Sequence, residues 1–463
     1  VWYTSSREVC RMIVKVSVEN FKSFEPMVEL TMISSGKIQD HKDHRISIKG
    51  TNILKHAVIY GANASGKSNL VDFFRLFKRV VERDIPLEAT EWYCKNTEDN
   101  KTRKSSFEIQ FTLGNKFYAY GFSAILSERK ILEEWLYELL QDGSAKNLFE
   151  REANAKPVLG ESIKLNATEK RRFEVYAEDF EGNTGTLFLR EMNRGKKYPE
   201  NSKLLFFQNV YRWFRSNLYV IRPDTPLMDF AYYYDDESLN RINQVIRTFD
   251  TGISDVSVKE ISLEELENSV PEEIFSGIMG RIRTKMEDQN ESKIQVTMRS
   301  KESIFNISID GSQEPIVKTI RLHHGKSFYD FRFEDESDGT RRLFDLIDIL
   351  FNDKEDVVYV VDELERSLHP KLTEHYLKLF MRFHKAQRNQ LIFTTHEATI
   401  MQQALFRRDE VWFVERNEQN ASTIYSLDRF KERYDKRLSK AYLEGRYGAI
   451  PVFSSFAFDD EEE

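Results

Sequence analysis

Short alternating runs open the chain. Ile13, Val14, Val16 and Val18 stand among Lys and Ser, MVELTMI (27–33) follows the turn at Glu25-Pro26, and both runs predict strands. HAVIY (56–60) is a brief apolar run that stops at Gly61. After Ser68 the period changes: Leu70, Phe73, Phe74, Phe77 and Val81 share one helical face, and Pro86 closes the segment. Residues 106–123 alternate about Gly114-Asn115, the pattern of a hairpin, and ILEEWLYEL (131–139) restarts an apolar pattern.

The middle is more charged and less regular. NSKLLFFQNVYRWFRSNL (201–218) predicts a buried helix and DDESLNRINQVIRTFD (235–250) a second one with an acidic start. Residues 262–289 form a third helical stretch, broken or kinked at Pro271. Strand patterns return in QVTMRS, IFNISID and IVKTIRLHH (295–324). The last third is the clearest: helix 341–351, strand 356–361, helix 370–385, strand 390–395 and a strand at EVWFVER (410–416). This β-α-β-α-β alternation predicts a parallel sheet with helices on its faces, hence an α/β fold. The expected organisation is an N-terminal lobe (1–150), a mainly helical insertion (151–300), a C-terminal lobe (301–455) and an acidic, solvated tail (456–463).

Composition narrows the class. The 463 residues are 40% hydrophobic and 31% charged, enough for a core but more than one simple domain. No run reaches the roughly 18 apolar residues of a membrane span, so no membrane partner is expected. Cys10 and Cys94 supply neither a disulfide framework nor a zinc knuckle, which predicts a reducing, cytoplasmic setting. A net charge of −8 argues against a surface dominated by nucleic acid, although a local basic groove is compatible with it. The residues before Met12 read as an upstream extension of the frame.

The chemistry lies in three places. Gly61-Ala-Asn63-Ala-Ser65-Gly66-Lys67-Ser68 is a complete G-x-x-x-x-G-K-S between a strand and a helix. Its glycines let backbone N–H groups close on phosphate oxygens, Lys67 reaches the β- and γ-phosphates, and the Ser68 hydroxyl ligates Mg²⁺. VVYVVDELERSLHP (357–370) delivers Asp362 and Glu363 to the C-terminal end of a strand. There Asp362 holds the Mg²⁺ shell, and Glu363 accepts a proton from the attacking water or polarises it. Read blandly, the two are a helix cap or a solvent-facing pair. QLIFTTH (390–396) ends in His396, placed to reach a γ-phosphate. Ser337-Asp338-Gly339-Thr340 opens a further helix and makes a second anion site without a lysine, unless Ser337 is a plain N-cap.

In order and spacing, the phosphate loop, the S-x-G-T signature, VVDE, SLHP and TTH resemble the ABC-type ATPases of the SMC, RecF and overcoming-lysogenization-defect group. The early NFKSF (20–24) is similar to that group's N-terminal element. The resemblance covers residues 12–81 and 331–415. It implies an ATPase head in which ATP and Mg²⁺ are held head-to-tail: Lys67, Ser68, Asp362, Glu363 and His396 from one copy, Ser337, Gly339 and Thr340 from another. Ser367 to Pro370 then face that interface. The signature departs from LSGGQ at Asp338 and Thr340. The group's glutamine loop is not plain; Gln110, 43 residues after Lys67, is a candidate that equally suits an alternating strand.

Family members with a fused nuclease continue well past the histidine, whereas this chain runs 67 residues beyond His396. That layout resembles stand-alone ATPase subunits of PARIS-type anti-phage operons, whose effector is a separate toprim nuclease. The resemblance implies a homo-oligomer built on ATP-sandwich dimers, a toprim-type nuclease partner and a phage-derived trigger protein. The alternative is a RecF- or SMC-like repair ATPase with DNA as cofactor, for which Lys170-Arg171-Arg172 and Arg194 to Lys197 are the candidate basic path. LLFFQNVYRWF (204–214) and DFAYYY (229–234) suit either partner contact or core.

Overall fold

The computed structural model describes residues 10–223, 236–273, 275–280, 293–299, 304–310, 314–352, 354–430 and 437–451. The DFAYYY run, the end of the third helical stretch and the acidic tail lie outside the described residues. The chain divides into two compact units, residues 1–222 with 354–364 and 381–463, and residues 223–353 with 365–380.

Antiparallel strands β1 (Ile13–Glu19) and β2 (Val28–Thr31) precede a small ribbon, β3 (Arg45–Ile48) with β4 (Thr51–Leu54). Next come β5 (His56–Tyr60) and helix α1 (Lys67–Glu82). The meander β6 (Ser105–Leu113), β7 (Lys116–Ile125), β8 (Lys130–Leu139), β9 (Ala145–Glu152) and β10 (Val158–Leu159) follows. The expected hairpin is β6–β7, with Leu113 opposite Lys116 across Gly114-Asn115. These strands join β1 and β2 in a seven-stranded sheet ordered β10-β9-β8-β7-β6-β1-β2.

Helices α2 (Ala167–Asp179), α3 (Phe188–Glu191) and α4 (Leu205–Asn217) run into β11 (Leu218–Ile221). Residues 151–222 were expected to begin an insertion, yet they belong to the first unit. The cause is burial. Phe207, Val210, Trp213 and Phe214 of α4 are fully enclosed, and Phe214 meets Phe77 of α1 with ring centroids 5.1 Å apart. LLFFQNVYRWF is therefore core, and its aromatic content serves packing, at about 1.5–3 kcal/mol for each large apolar side chain buried.

In the second unit α5 (Asp236–Ile246) is followed by β12 (Ile253–Ile261), α6 (Leu263–Ser269), β13 (Lys293–Arg299), β14 (Ile304–Asp310), β15 (Ile316–His324) and α7 (Asp338–Leu350). The sheet order is β12-β15-β14-β13, and its Ile261, Phe305, Ile307 and Val317 form one core with Leu266 of α6. The helix α6 stops before Pro271, whose predecessor is driven to extended backbone (Val270 φ −136°, ψ 151°). β12 lies between the two predicted helices 235–250 and 262–289, within the insertion expected to be mainly helical, and pairs along its length with β15.

The chain then supplies β16 (Val358–Val361), α8 (Pro370–Phe383), β17 (Gln390–Thr394), β18 (Val411–Arg416), β19 (Ser422–Ser426) and α9 (Leu438–Leu443). The first unit's second sheet runs β11-β16-β17-β5-β18-β19, parallel throughout except at β19. β5, β16 and β17 are buried at every position, as a parallel sheet covered on both faces requires. The architecture is mixed α/β, with a largely parallel sheet in the first unit that brings the ends of β5, β16 and β17 side by side. Among the described residues no helix is long and apolar enough to cross a membrane.

Candidate functional site

β5 carries the chain outward to Tyr60, and the turn into α1 then demands glycine twice. A Cβ on Gly61 would lie 2.4 Å from the Val414 carbonyl and 2.5 Å from the Ser65 hydroxyl. Gly66 has φ +110°, and a Cβ there would lie 2.5 Å from the hydroxyls of Ser23 and Ser422. Ala64 is left-handed as well, at φ +60°, a conformation that costs an L-residue about 1–2 kcal/mol. Gly66 is the N-cap of α1 and offers no side chain to the first turn, so no side-chain acceptor competes there with an outside anion.

The loop is braced from the turn after β1 and from the start of β19. Ser422 at the start of β19 donates to the Ser65 carbonyl (2.5 Å), its Oγ lies 2.7 Å from Ser23 Oγ, and Asn69 Nδ2 donates to Ser23 Oγ (2.7 Å). Ser23 belongs to NFKSF, which gives that early element a physical task under the phosphate loop. Ser422 is not marked as functional by its own neighbourhood in sequence. Lys67 is nearly enclosed and its ammonium donates to the carbonyls of Gly61 (2.7 Å) and Ala62 (3.0 Å), holding the charge over the loop.

Asp362 follows β16 and is 3% exposed. Its Oδ1 accepts from Thr394 Oγ1 (2.7 Å) and from Ser68 Oγ (3.2 Å). Burial pushes its carboxyl above the usual carboxylate range, and those two hydroxyls pull it back. A buried carboxylate beside the loop's serine is a donor set for a hard cation, as Mg²⁺ is. Glu363 has φ +46°, and its N–H donates to Thr394 Oγ1 (2.8 Å), which fixes the turn. Glu363 Oε1 lies 3.7 Å from His396 Nε2.

Asn63, Ser65, Gly66, Lys67, Ser68, Glu363 and His396 line one cavity of about 690 Å³, joined by Ala64, Asn69 and Arg416. Gly61 and Asp362 touch this group through Lys67 and Ser68. The arrangement fits a nucleoside triphosphate with its Mg²⁺: a glycine cradle where no Cβ fits, a lysine over it, and a serine–aspartate pair at its edge. Ser65 Oγ adds a buried hydroxyl without a hydrogen-bond partner among the described residues. Arg416, at the end of β18, was not singled out in sequence; its place at the close of EVWFVER, a strand beside β5, is the available signal.

Ser337, Gly339 and Thr340 lie in the second unit. Ser337 is the N-cap of α7, and its Oγ accepts from Thr340 N (3.2 Å) and lies 3.0 Å from Thr340 Oγ1. A Cβ on Gly339 would lie 2.5 Å from the Ser367 carbonyl. The signature glycine and the SLHP segment thus fit against each other inside one unit, a link that spacing along the chain did not show. Gln110 sits within β6 and donates to Glu108 (3.0 Å), outside the cavity lining, which gives it a sheet role instead of a glutamine-loop role. The basic residues of 170–172 and 194–197 are partly engaged: Lys196 with Glu191 (2.5 Å) and Arg172 over the ring of Tyr198 (5.1 Å). Cys10 and Cys94 are buried free thiols.

A family model described as "AAA domain, putative AbiEii toxin, Type IV TA system" matches residues 57–177 and 199–402. No curated protein matches the chain. Among solved structures, an SMC head bound to the C-terminal winged-helix domain of ScpA is 14% identical, with TM-score 0.40, over 93% of this chain and 99% of that one. The SMC head domain from Thermotoga maritima is 13% identical, with TM-score 0.33, over 89% and 98%. An Smc head domain with an extended coiled coil, bound to the C-terminal domain of ScpA derived from Pyrococcus furiosus, is 13% identical, with TM-score 0.35, over 94% and 99%.

Proposed function

Because the chain belongs to the AAA-domain family described as the putative AbiEii toxin of a type IV toxin–antitoxin system, we propose that it binds and hydrolyses ATP with Mg²⁺ in sites shared between copies. Lys67 and the N–H groups of the 61–68 loop neutralise and orient the phosphates. Ser68 and Asp362 hold the cation. Mg²⁺ supplies charge neutralisation at the transferring phosphoryl group. Glu363 orients and deprotonates the attacking water, and His396, 3.7 Å from it, senses the γ-phosphate. The observation that carries this reading is the Ser68–Asp362 contact of 3.2 Å at the edge of a cavity that Lys67, Glu363 and His396 also line.

The second half of each site comes from Ser337, Gly339 and Thr340 of another copy. A ligand favours assembly only by binding the assembled state better, and a nucleotide touched by two copies does so. In this reading the protein is the sensor and scaffold subunit of an anti-phage system, close in organisation to AriA of PARIS. It holds a separate toprim-type nuclease until a phage-derived trigger releases it, in a cytoplasmic setting. Native mass measurement with and without ATP, on the chain alone and with the nuclease, tests this. ATP-dependent dimers or larger rings that retain the nuclease support it. A monomer at saturating ATP contradicts the shared site. ATP turnover stimulated by DNA in a salt-dependent way, with no nuclease retained, points to the repair-type ATPase instead.

A further inference from the structure

At the opposite end of β5 from the phosphate loop, three buried side chains meet, two from the β3–β5 region and one from a distant part of the chain. His44 is 6% exposed, His56 is 3% and Glu410 is 0%. His44 Nδ1 lies 3.2 and 3.0 Å from the two Glu410 oxygens, and His56 Nδ1 lies 3.2 Å from Oε1. All three ligand atoms fall within 4.8 Å of one another, and His41, Asp43 and His44 form an adjoining set of the same span.

We propose that this cluster is a site for a borderline divalent transition ion of the Zn²⁺ type, held by His44, His56 and Glu410 with water in the fourth position. The donor set is two imidazoles and a carboxylate, which such ions favour over hard Mg²⁺ or Ca²⁺. Ligand atoms about 2.0–2.1 Å from a tetrahedral centre stand about 3.3 Å apart, close to the separations observed. The surroundings suit a metal as well. Glu410 Oε2 accepts from Arg407 N (2.8 Å), a backbone donor that orients the carboxylate without neutralising it. The Arg407 guanidinium is engaged elsewhere, with Asp409 at 2.8 and 2.9 Å and with the Ile38 carbonyl at 3.2 Å. His41 Nε2 donates to the Gln403 carbonyl (2.7 Å) beside the cluster. His41 also stacks on His44 with centroids 4.7 Å apart.

The consequence is mechanical. His56 opens β5 and Glu410 immediately precedes β18, the parallel neighbour of β5. An ion there would pin the bases of the two strands that carry Gly61 and Arg416 at their other ends. Nothing in this depends on the nucleotide proposal, and the test keeps the two apart.

Full-length untagged protein is stripped with chelator, dialysed, and titrated with Co²⁺ in the absence of nucleotide. One equivalent giving intense visible bands of a tetrahedral ion, displaced by Zn²⁺, is the expected result, with thermal unfolding raised by several degrees. H56Q and E410Q should abolish the bands, whereas K67A should keep them. H44Q serves if either of the first two fails to fold. Absence of the bands in folded parental protein, or bands of parental intensity in folded H44Q and H56Q, overturns the site and leaves a metal-free hydrogen-bonded triad.

Discussion

Two helix starts carry the candidate chemistry, and they are built in opposite ways. α1 begins at a left-handed glycine with no side-chain cap, beneath a buried lysine, in a loop braced by Ser23 and Ser422. α7 begins at Ser337, whose own hydroxyl accepts the Thr340 N–H. The first is open to an anion in a way the second is not, because no side chain caps its first turn. The second is already satisfied, so an anion must compete with the serine that caps it. A half-site of this second kind binds weakly alone and contributes only where something else has brought the phosphates to it. This is what a shared nucleotide requires: one grip that captures, and one that reports arrival.

Substitutions sharpen that asymmetry, the largest effect first. Glu363→Gln should keep ATP affinity and lower turnover about 10²–10⁴-fold, because a general base is lost while the charge on the loop stays; steady-state phosphate release beside an equilibrium binding assay checks this. Retention of parental turnover removes Glu363 from its role. Lys67→Ala removes charge-assisted contacts of about 1.5–3 kcal/mol each, so affinity for ATP should fall roughly 10- to 100-fold by calorimetry. Ser337→Ala should leave the affinity of a dilute protomer within about twofold, since its effect there is a lost cap costing about 0.5–2 kcal/mol of stability. ATP-dependent assembly of the same variant should fail. Smallest of all, Gln110→Ala should change turnover by less than twofold, because its partner is Glu108 on the sheet.

The difference between the two helix starts also explains what was legible beforehand. The phosphate loop announces itself locally, since strand, glycines, lysine and helix occupy one continuous stretch. Asp362, Glu363 and His396 are readable for the same reason: each ends an apolar strand. The braces are not. Ser422 lies 399 residues from Ser23, and nothing near either one encodes the meeting. β11 was hidden in another way: LYVI is a four-residue strand, buried at Leu218 and Ile221, that continues the apolar pattern of α4, and periodicity cannot separate so short a run from the helix before it. β12 falls between two predicted helices and is fixed by its pairing with β15. The convergence of His44 and Glu410, 366 residues apart, belongs with the braces.

The shared site is tested most directly by mixing two inactive proteins. Lys67→Ala lacks the capturing half and Gly339→Arg the reporting half, because no side chain fits between Gly339 and the Ser367 carbonyl. If a site is composed from two copies, each variant alone is inactive and the mixture regains ATP turnover, since one pairing in the mixed dimer joins an intact loop to an intact signature. A mixture no more active than the sum of its parts, or a monomeric Gly339→Arg protein turning over ATP at the parental rate, contradicts the account.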